Sequence, residues 1–223
     1  KVWNAWKGKL LEDLYRATRR VLGGAAVDPT AELETRKQET LRILRLYAFP
    51  EGRQLAFWNT LDVAFFLRND PQDIAWQTRI LATHVGEPEP IVRVRLAEVG
   101  EGLQVLVYVA DQADLFARIC GYFDSIGFNI MEARIHTTYL PDGSRYALDT
   151  FLINDKGRAA HYRDILSLLE LQLKERLMTV GPLPLPSTGK LSRKSRTFPI
   201  PPAVDWRPDE QGKRIGSEIE LFR

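Results

Sequence analysis

The hydrophobic pattern of this chain changes its period at one short segment, residues 86–90, which reads Gly-Glu-Pro-Glu-Pro. Before it, apolar residues recur every three or four positions, as they do along one face of an α-helix. After it, residues 92–96 alternate apolar side chains with arginine, and residues 103–110 are almost wholly apolar. These patterns are typical of an edge strand and an inner strand. The chain is therefore predicted to be α+β, with a helical part first and a sheet after residue 90.

Turn-forming residues divide the helical part into four predicted helices. Glycines at positions 23 and 24 end the first helix, and Pro50 with Gly52 ends the second. Residues 55–67 form the third. Asp-Pro pairs at positions 28–29 and 70–71 mark the starts of the second and fourth helices. An aspartate there can accept a hydrogen bond from a free N–H group, and proline tolerates the first helical position.

The part after residue 90 predicts the order β-α-β-β-α, the split unit of ferredoxin-like folds. An apolar helical face follows the strand at residues 103–110. Residues 131–137 then alternate with period two, residues 141–143 form a turn, and residues 145–153 return as a strand. A long helix at residues 162–177 closes the unit. We expect both helices on one face of an antiparallel sheet and none on the other face.

A weak internal repeat indicates that this unit begins a second time. Four residues recur 112 positions later, namely Pro90, Val92, Arg95 and Gly100. The predicted organisation is a helical segment at 1–86, a first module at 87–180, a proline-rich linker at 181–202 and the start of a second module at 203–223. Both ends fall inside predicted elements, so we expect a piece of a longer protein.

Composition narrows the classes of function. The formal net charge is only +2, so no overall field attracts nucleic acid or an anionic membrane. No apolar run is long enough to span a bilayer. The basic run at residues 190–196 is interpreted as a solvated charge run in the linker, although contact with phosphates is the alternative. The single cysteine favours a reducing, cytoplasmic setting.

No catalytic arrangement is visible in the sequence. His84, His136 and His161 lack metal-ligand spacing and are interpreted as surface or linker residues. Cys120 lies on the apolar face of a predicted helix and is interpreted as a buried, inert thiol. No glycine-rich loop has the length of a phosphate-binding loop. We therefore predict no catalytic residue, no metal and no other cofactor in this chain.

The best candidate for a ligand site is a turn between a strand and a helix, formed by Asp111, Gln112, Ala113 and Asp114. Free N–H groups and the macrodipole at a helix N-terminus favour an anion such as an α-carboxylate. Asn129 begins the next strand, and we expect its amide near the same turn, where it could contact both ionic groups of an amino acid. The alternative is that Asp111 only caps the helix and Asn129 only completes a turn.

Several segments, in chain order, resemble one enzyme family. Residues 110–138 (ADQADLFARICGYFDSIGFNIMEARIHTT) and 146–151 (YALDTF) resemble the first ACT domain of the bifunctional uridylyltransferase/uridylyl-removing enzymes that modify the PII signal protein. Residues 2–20 look like the link out of the HD domain of these enzymes. Residues 65–79 and 198–214 are similar to the family as well. The resemblance covers nearly the whole chain.

The resemblance implies a cytoplasmic switch that responds to nitrogen status. A nucleotidyltransferase domain, with Mg²⁺, would add uridylyl groups from UTP to the PII protein, and an HD domain would remove them by hydrolysis. Two ACT domains would sense glutamine and regulate both activities allosterically. Residues 1–86 would then be the end of the HD region and a connector. Residues 87–180 would be a ferredoxin-like βαββαβ ACT domain, and residues 203–223 the start of the second one, with all catalytic residues elsewhere in the longer enzyme.

The candidate turn departs from the family pattern. The family usually has Asp-Arg-Pro-Gly-Leu where this chain has Asp-Gln-Ala-Asp-Leu at residues 111–115. Glycine would let a ligand approach the backbone, whereas Asp114 adds bulk and negative charge. Similarity to the serine-sensing ACT domain of phosphoglycerate dehydrogenase implies ligand contacts at Asp111 and Asn129. Two other functions stay open: an interaction module that binds no small ligand, and nucleic-acid binding through residues 190–196.

Overall fold

The computed structural model describes residues 5–22, 29–98, 102–155, 162–179, 181, 183, 203–208 and 215–220. The chain divides into two compact units, Lys1–Leu185 and Pro186–Arg223. The boundary predicted after residue 86 falls inside the first unit. The predicted linker lies outside the described residues except at positions 181 and 183, and its basic run lies outside them entirely.

The helical part contains α1 (Ala5–Leu22), α2 (Pro29–Leu46), α3 (Gln54–Trp58), α4 (Val63–Arg68) and α5 (Pro71–Leu81). Prolines begin α2 and α5 as predicted, and the predicted cap Asp28 lies outside the described residues. The single helix predicted at residues 55–67 is wrong, because α3 and α4 are separate. Asp62 separates them: its backbone is extended, and its carboxylate accepts a 2.7 Å hydrogen bond from the N–H of Phe65.

The sheet of the first unit has five strands in the order β1-β2-β5-β3, and the short β4 also pairs with β5. Every pairing is antiparallel. The strands are β1 (Ile91–Leu96), β2 (Leu103–Ala110), β3 (Phe128–Arg134), β4 (Thr137–Tyr139) and β5 (Arg145–Asp155), and the helices are α6 (Leu115–Ser125) and α7 (Tyr162–Met178). The predictions of an edge strand near residue 92 and an inner strand at residue 103 are confirmed.

The connection from β2 through α6 to β3 is the predicted split unit. Because β2 and β3 are both antiparallel to β5, they run parallel to each other with β5 between them. The α+β class is confirmed. The edge strand beside β2 differs in chain order from that of a βαββαβ unit. In a βαββαβ unit this edge strand comes last, after the second helix, whereas in this chain it is β1 and precedes β2.

Both faces of the sheet are covered by helices. On the first face, Val105, Val107 and Val109 of β2 share a core with residues of α6 and α7. On the second face, Leu106 and Tyr108 share a core with the helical segment, α2–α5. The expectation of one uncovered face was wrong. The almost wholly apolar β2 is the reason, since a strand without polar alternation needs cover on both sides.

The segment expected to link helices and sheet is held against the second face. The N–H of Gly86 donates to the Tyr108 hydroxyl (3.2 Å), and the Tyr146 hydroxyl donates to the Gly86 carbonyl (2.9 Å). The two tyrosine rings stack with centroids 5.0 Å apart. Gly86 has φ of +77°, and a Cβ there would lie 2.8 Å from the Leu140 side chain, so both conformation and space favour glycine.

The second unit contains an antiparallel hairpin, β6 (Ala203–Pro208) and β7 (Ile215–Glu220). Its terminal pairs are Ala203 with Glu220 and Pro208 with Ile215. The β1–β2 pairs Ile91 with Tyr108 and Leu96 with Leu103 stand at the same positions minus 112. The hairpin therefore has the register of β1–β2 shifted by 112 positions, which is the spacing of the internal repeat.

Candidate ligand-binding turn

Residues 111–114 form an exposed junction between β2 and α6. Asp114 is the N-cap of α6, with φ of 61° and ψ of 10°, and its side chain makes no capping hydrogen bond. Its carbonyl accepts the first helical hydrogen bond, from the N–H of Arg118 at 2.9 Å. This left-handed backbone is a conformation that glycine adopts freely, whereas a side chain in that region costs about 1–2 kcal/mol and somewhat less for aspartate.

Asp111 continues the sheet rather than capping the helix. Its N–H donates to the carbonyl of Arg145 at 2.9 Å, which adds one more rung between β2 and β5. Its carboxylate lies 3.5 Å from the Arg145 guanidinium. Gln112 and Ala113 are exposed beside it. All four residues of the predicted turn are therefore exposed to solvent.

Asn129 does not lie near this turn, and that expectation was wrong. Asn129 pairs with Asn154 near one end of β5, whereas Asp111 bonds to Arg145 at the other end. The distance along β5 between those partners is roughly 30 Å at the usual rise per residue. The physical reason is that α6 returns the chain to the opposite end of the sheet before β3 begins. The Asn129 amide instead donates to Asn154 at 3.4 Å.

A residue that the sequence reasoning missed, Asp149, lies in the same half of the sheet as the turn. It is 1% exposed on the first face, and its Oδ1 has no hydrogen-bond partner in the described part of the chain. Burial raises its pKa to about 7, with a further contribution from Asp111, although a hydrogen bond from the backbone of His136 opposes the shift. A lone carboxylate within the apolar sequence YALDTFLI was the signal that could have revealed it.

His136 lies against the helical segment and is not the surface histidine that was predicted. Its ring centroid is 5.1 Å from that of Phe65, and its Nε2 is 3.8 Å from the Asp62 carboxylate. Burial lowers its pKa, Asp62 raises it and Arg68 lowers it further. The backbone of the same residue also bonds to Asp149, on the first face.

Other chemistry in the described residues lies away from the turn. A groove of about 650 Å³ is lined by Tyr122, Ile126, Gln172, Glu175, Arg176 and Thr179, at the opposite end of α6. Burial raises the pKa of the Cys120 thiol, with a further contribution from Asp149, which keeps the thiol protonated. Among the described residues, no group of three or more His, Cys, Asp or Glu side chains could hold a metal ion. No helix in that part of the chain is long and apolar enough to cross a bilayer.

The split βαβ unit, with an exposed strand–turn–helix junction and with α6 and α7 on its first face, is consistent with an ACT-like domain. A family model described as "Uridylyltransferase GlnD fifth domain" matches residues 28–80, which contain α2–α4 and all of α5 except its last residue. The helices on the second face are therefore similar to one domain of that uridylyltransferase.

Sequence relatives extend this match to nearly the whole chain. The bifunctional uridylyltransferase/uridylyl-removing enzyme of Cupriavidus pinatubonensis is 57% identical over 216 residues, and that of Burkholderia thailandensis is 55% identical over 213 residues. Both alignments cover 96% of this chain and 24% of the relative, so the chain spans about a quarter of the length of these enzymes. The resemblance to the bifunctional uridylyltransferase/uridylyl-removing enzymes is therefore confirmed.

Proposed function

We propose that this chain is the regulatory region of an enzyme that attaches uridylyl groups to the PII protein and removes them, and that its ACT-like domain senses glutamine. The observation that carries the proposal is the 57% identity over 96% of the chain to an enzyme named for both activities. The PII protein and Mg²⁺ would engage other parts of the longer, cytoplasmic enzyme. A second ACT domain, beginning at the β6–β7 hairpin, would be the neighbour of the first.

The electrostatics of the turn predict weak binding by this chain alone. The N-terminus of α6 offers backbone donors and a favourable field to a carboxylate. Asp114 opposes it with an exposed negative charge on the same turn, whereas the Asp111 carboxylate already lies 3.5 Å from the Arg145 guanidinium. Two like charges at about 4 Å repel by roughly 1–4 kcal/mol, depending on the local dielectric, which is up to about three decades of affinity. Asn129, at the other end of the sheet, cannot join the same ligand within one module.

The remote position of Asn129 also favours the second candidate function, an interaction module that binds no small ligand. In that case the ACT-like domain would act only through contacts with its neighbouring domains. In either case we expect the isolated chain neither to transfer nor to remove uridylyl groups. Measured turnover on the PII protein by the purified chain would contradict this.

Calorimetric titration with glutamine separates the two functions. We expect a dissociation constant on the order of 1 mM or weaker for the unmodified chain. Asp114→Asn removes the charge, and Asp114→Gly also frees the backbone, so each should tighten binding in that order. Ala48→Gly is the matched control, because Ala48 is the other non-glycine residue of the described part with positive φ (50°) and lies in the helical segment. It should leave the affinity for glutamine unchanged.

Micromolar binding by the unmodified chain would show that Asp114 does not block the site. If the two Asp114 variants also bind no glutamine at millimolar concentration, glutamine sensing by this module is wrong and the interaction module is favoured.

A further inference from the structure

One carboxylate on the second face contacts three strands of the sheet. Asp73, in α5, has a side chain only 13% exposed. Its Oδ1 accepts hydrogen bonds from Arg95 at 2.5 Å and from the Gln104 amide at 3.0 Å. Its Oδ2 accepts one from Arg134 at 2.9 Å. Each oxygen thus holds a different arginine, and the group is largely withdrawn from solvent.

The two arginines stand at opposite edges of the sheet. Arg95 belongs to β1 and Arg134 to β3, the outermost strands in the order β1-β2-β5-β3. Three strand spacings separate these edges, roughly 14 Å. Gln104 belongs to β2, between them. A single side chain of α5 is therefore bonded across the width of the sheet.

Neighbouring groups hold each arginine in place. The Arg95 guanidinium lies 4.1 Å from the centre of the Trp76 ring and 3.1 Å from Glu98. The Arg134 guanidinium lies 2.7 Å from Glu132 of its own strand. Trp76 belongs to α5, so its ring adds to the attachment of β1 to that helix. Glu98, just after β1, and Glu132 of β3 bond the two arginines to the edges of the sheet, so a change in the separation of these edges acts directly on Asp73.

We propose that Asp73 is a coupling residue, whose two oxygens make the position of α5 depend on both edge strands of the sheet at once. A displacement of β1 or β3 then reaches the helical segment through this carboxylate. The coupling is a property of the chain itself and holds whether or not a small ligand binds.

The direct test is a set of variants that measures coupling between the two arginines. Arg95→Met and Arg134→Met are made singly and together, in the full chain, with Asp73 intact and with Asp73→Asn. The readout is the equilibrium constant of unfolding in urea. With Asp73 intact, the double variant should be destabilised beyond the product of the single effects by roughly tenfold, because the second removal leaves a buried carboxylate without a cation. With Asp73→Asn, the effects should simply multiply.

Hydrogen exchange supplies a second readout that needs only folded single variants. Arg134→Met should speed amide exchange in α5 and in β1, at the far edge. Arg93→Met is the control, since Arg93 lies on β1 but its guanidinium donates to the carbonyl of Val92 in the same strand. It should leave α5 unchanged. Multiplicative effects with Asp73 intact, coupling that survives Asp73→Asn, or unchanged exchange in α5 and β1 of Arg134→Met would each overturn the proposal.

Discussion

The two faces of the sheet are built on the same strands but are covered by different means. The first face meets α6 and α7 almost wholly through apolar side chains and encloses one buried carboxylate, Asp149. The second face meets α2–α5 through an apolar cluster of similar extent, together with the ion pairs of Asp73 and the hydrogen bonds of Tyr108 and Tyr146.

This difference distinguishes apolar burial, which drives folding of the sheet, from polar contacts, which determine which helices pack on it. An apolar face accepts helices of suitable volume and tolerates considerable change in the side chains that fill it. A face with buried charges accepts only helices that carry the complementary charged groups, because an unpaired buried charge lowers the stability of the fold. The second face therefore specifies its helical segment, and the helices and sheet should behave as one folding unit.

The largest expected effect tests whether the two faces are equal parts of one core. Phe57 of α3 and Phe123 of α6 are both fully buried, on the second and first face respectively. We expect Phe57→Ala and Phe123→Ala each to lower the free energy of unfolding by about 3–5 kcal/mol. Leu46→Ala, at a side chain 85% exposed, should change it by less than about 0.5 kcal/mol. Urea unfolding followed by fluorescence and circular dichroism measures all three.

Both losses should occur within one cooperative transition. If Phe57→Ala instead unfolds the helices separately and leaves the sheet at its original midpoint, the helical segment is an independent domain. In that case the two faces do not belong to one cooperative core.

The next effect concerns Asp149, the buried carboxyl group on the first face. Burial raises the pKa of Asp149 from 3.8 to about 7, so between these values the folded chain holds a proton that the unfolded chain has lost. Stability should therefore fall as the pH rises from about 4 to about 7, by on the order of 2–4 kcal/mol. Asp149→Asn should remove this slope and be the more stable protein at pH 8. Asp142→Asn, in an exposed turn, should keep the slope. An unchanged slope in Asp149→Asn would show that another group causes it.

The sequence predicted local structure better than it predicted which surfaces meet. The prolines at 29 and 71, the inner strand at 103 and the repeated hairpin follow from local rules and are confirmed. The cover on the second face depends on contacts such as Asp73 with Arg134, 61 positions apart, which no periodicity reveals. The predicted position of Asn129 was wrong because α6 returns the chain to the opposite end of the sheet, which residue spacing does not reveal. Asp149 was not predicted because a single polar residue does not change the apolar pattern of a buried strand.

A smaller effect tests the attachment of the segment between helices and sheet. Tyr146→Phe removes the hydroxyl that donates to Gly86 and should cost about 1 kcal/mol of stability. Tyr139→Phe is the matched control, because Tyr139 is 62% exposed on the adjacent β4. Thermal unfolding of both variants measures the difference. Equal stability of the two would mean that the ring stacking with Tyr108, and not the hydrogen bond, holds this segment.

The smallest expected effect is a pH dependence of opposite sign on the second face. Burial lowers the pKa of His136 below its usual 6.5, so the unfolded chain takes up a proton that the folded chain refuses. The stabilising contribution is therefore complete above about pH 6.5 and is lost as the pH falls towards the lowered pKa of the folded state. The effect should be modest, because Asp62, 3.8 Å away, would partly compensate a charged ring. We expect His136→Phe to remove this slope while the packing against Phe65 remains, and His84→Gln to leave it. The slope caused by His136 is best measured in the Asp149→Asn variant, because that variant lacks the opposing slope caused by Asp149. A slope that stays the same in the double variant would place its origin at another group.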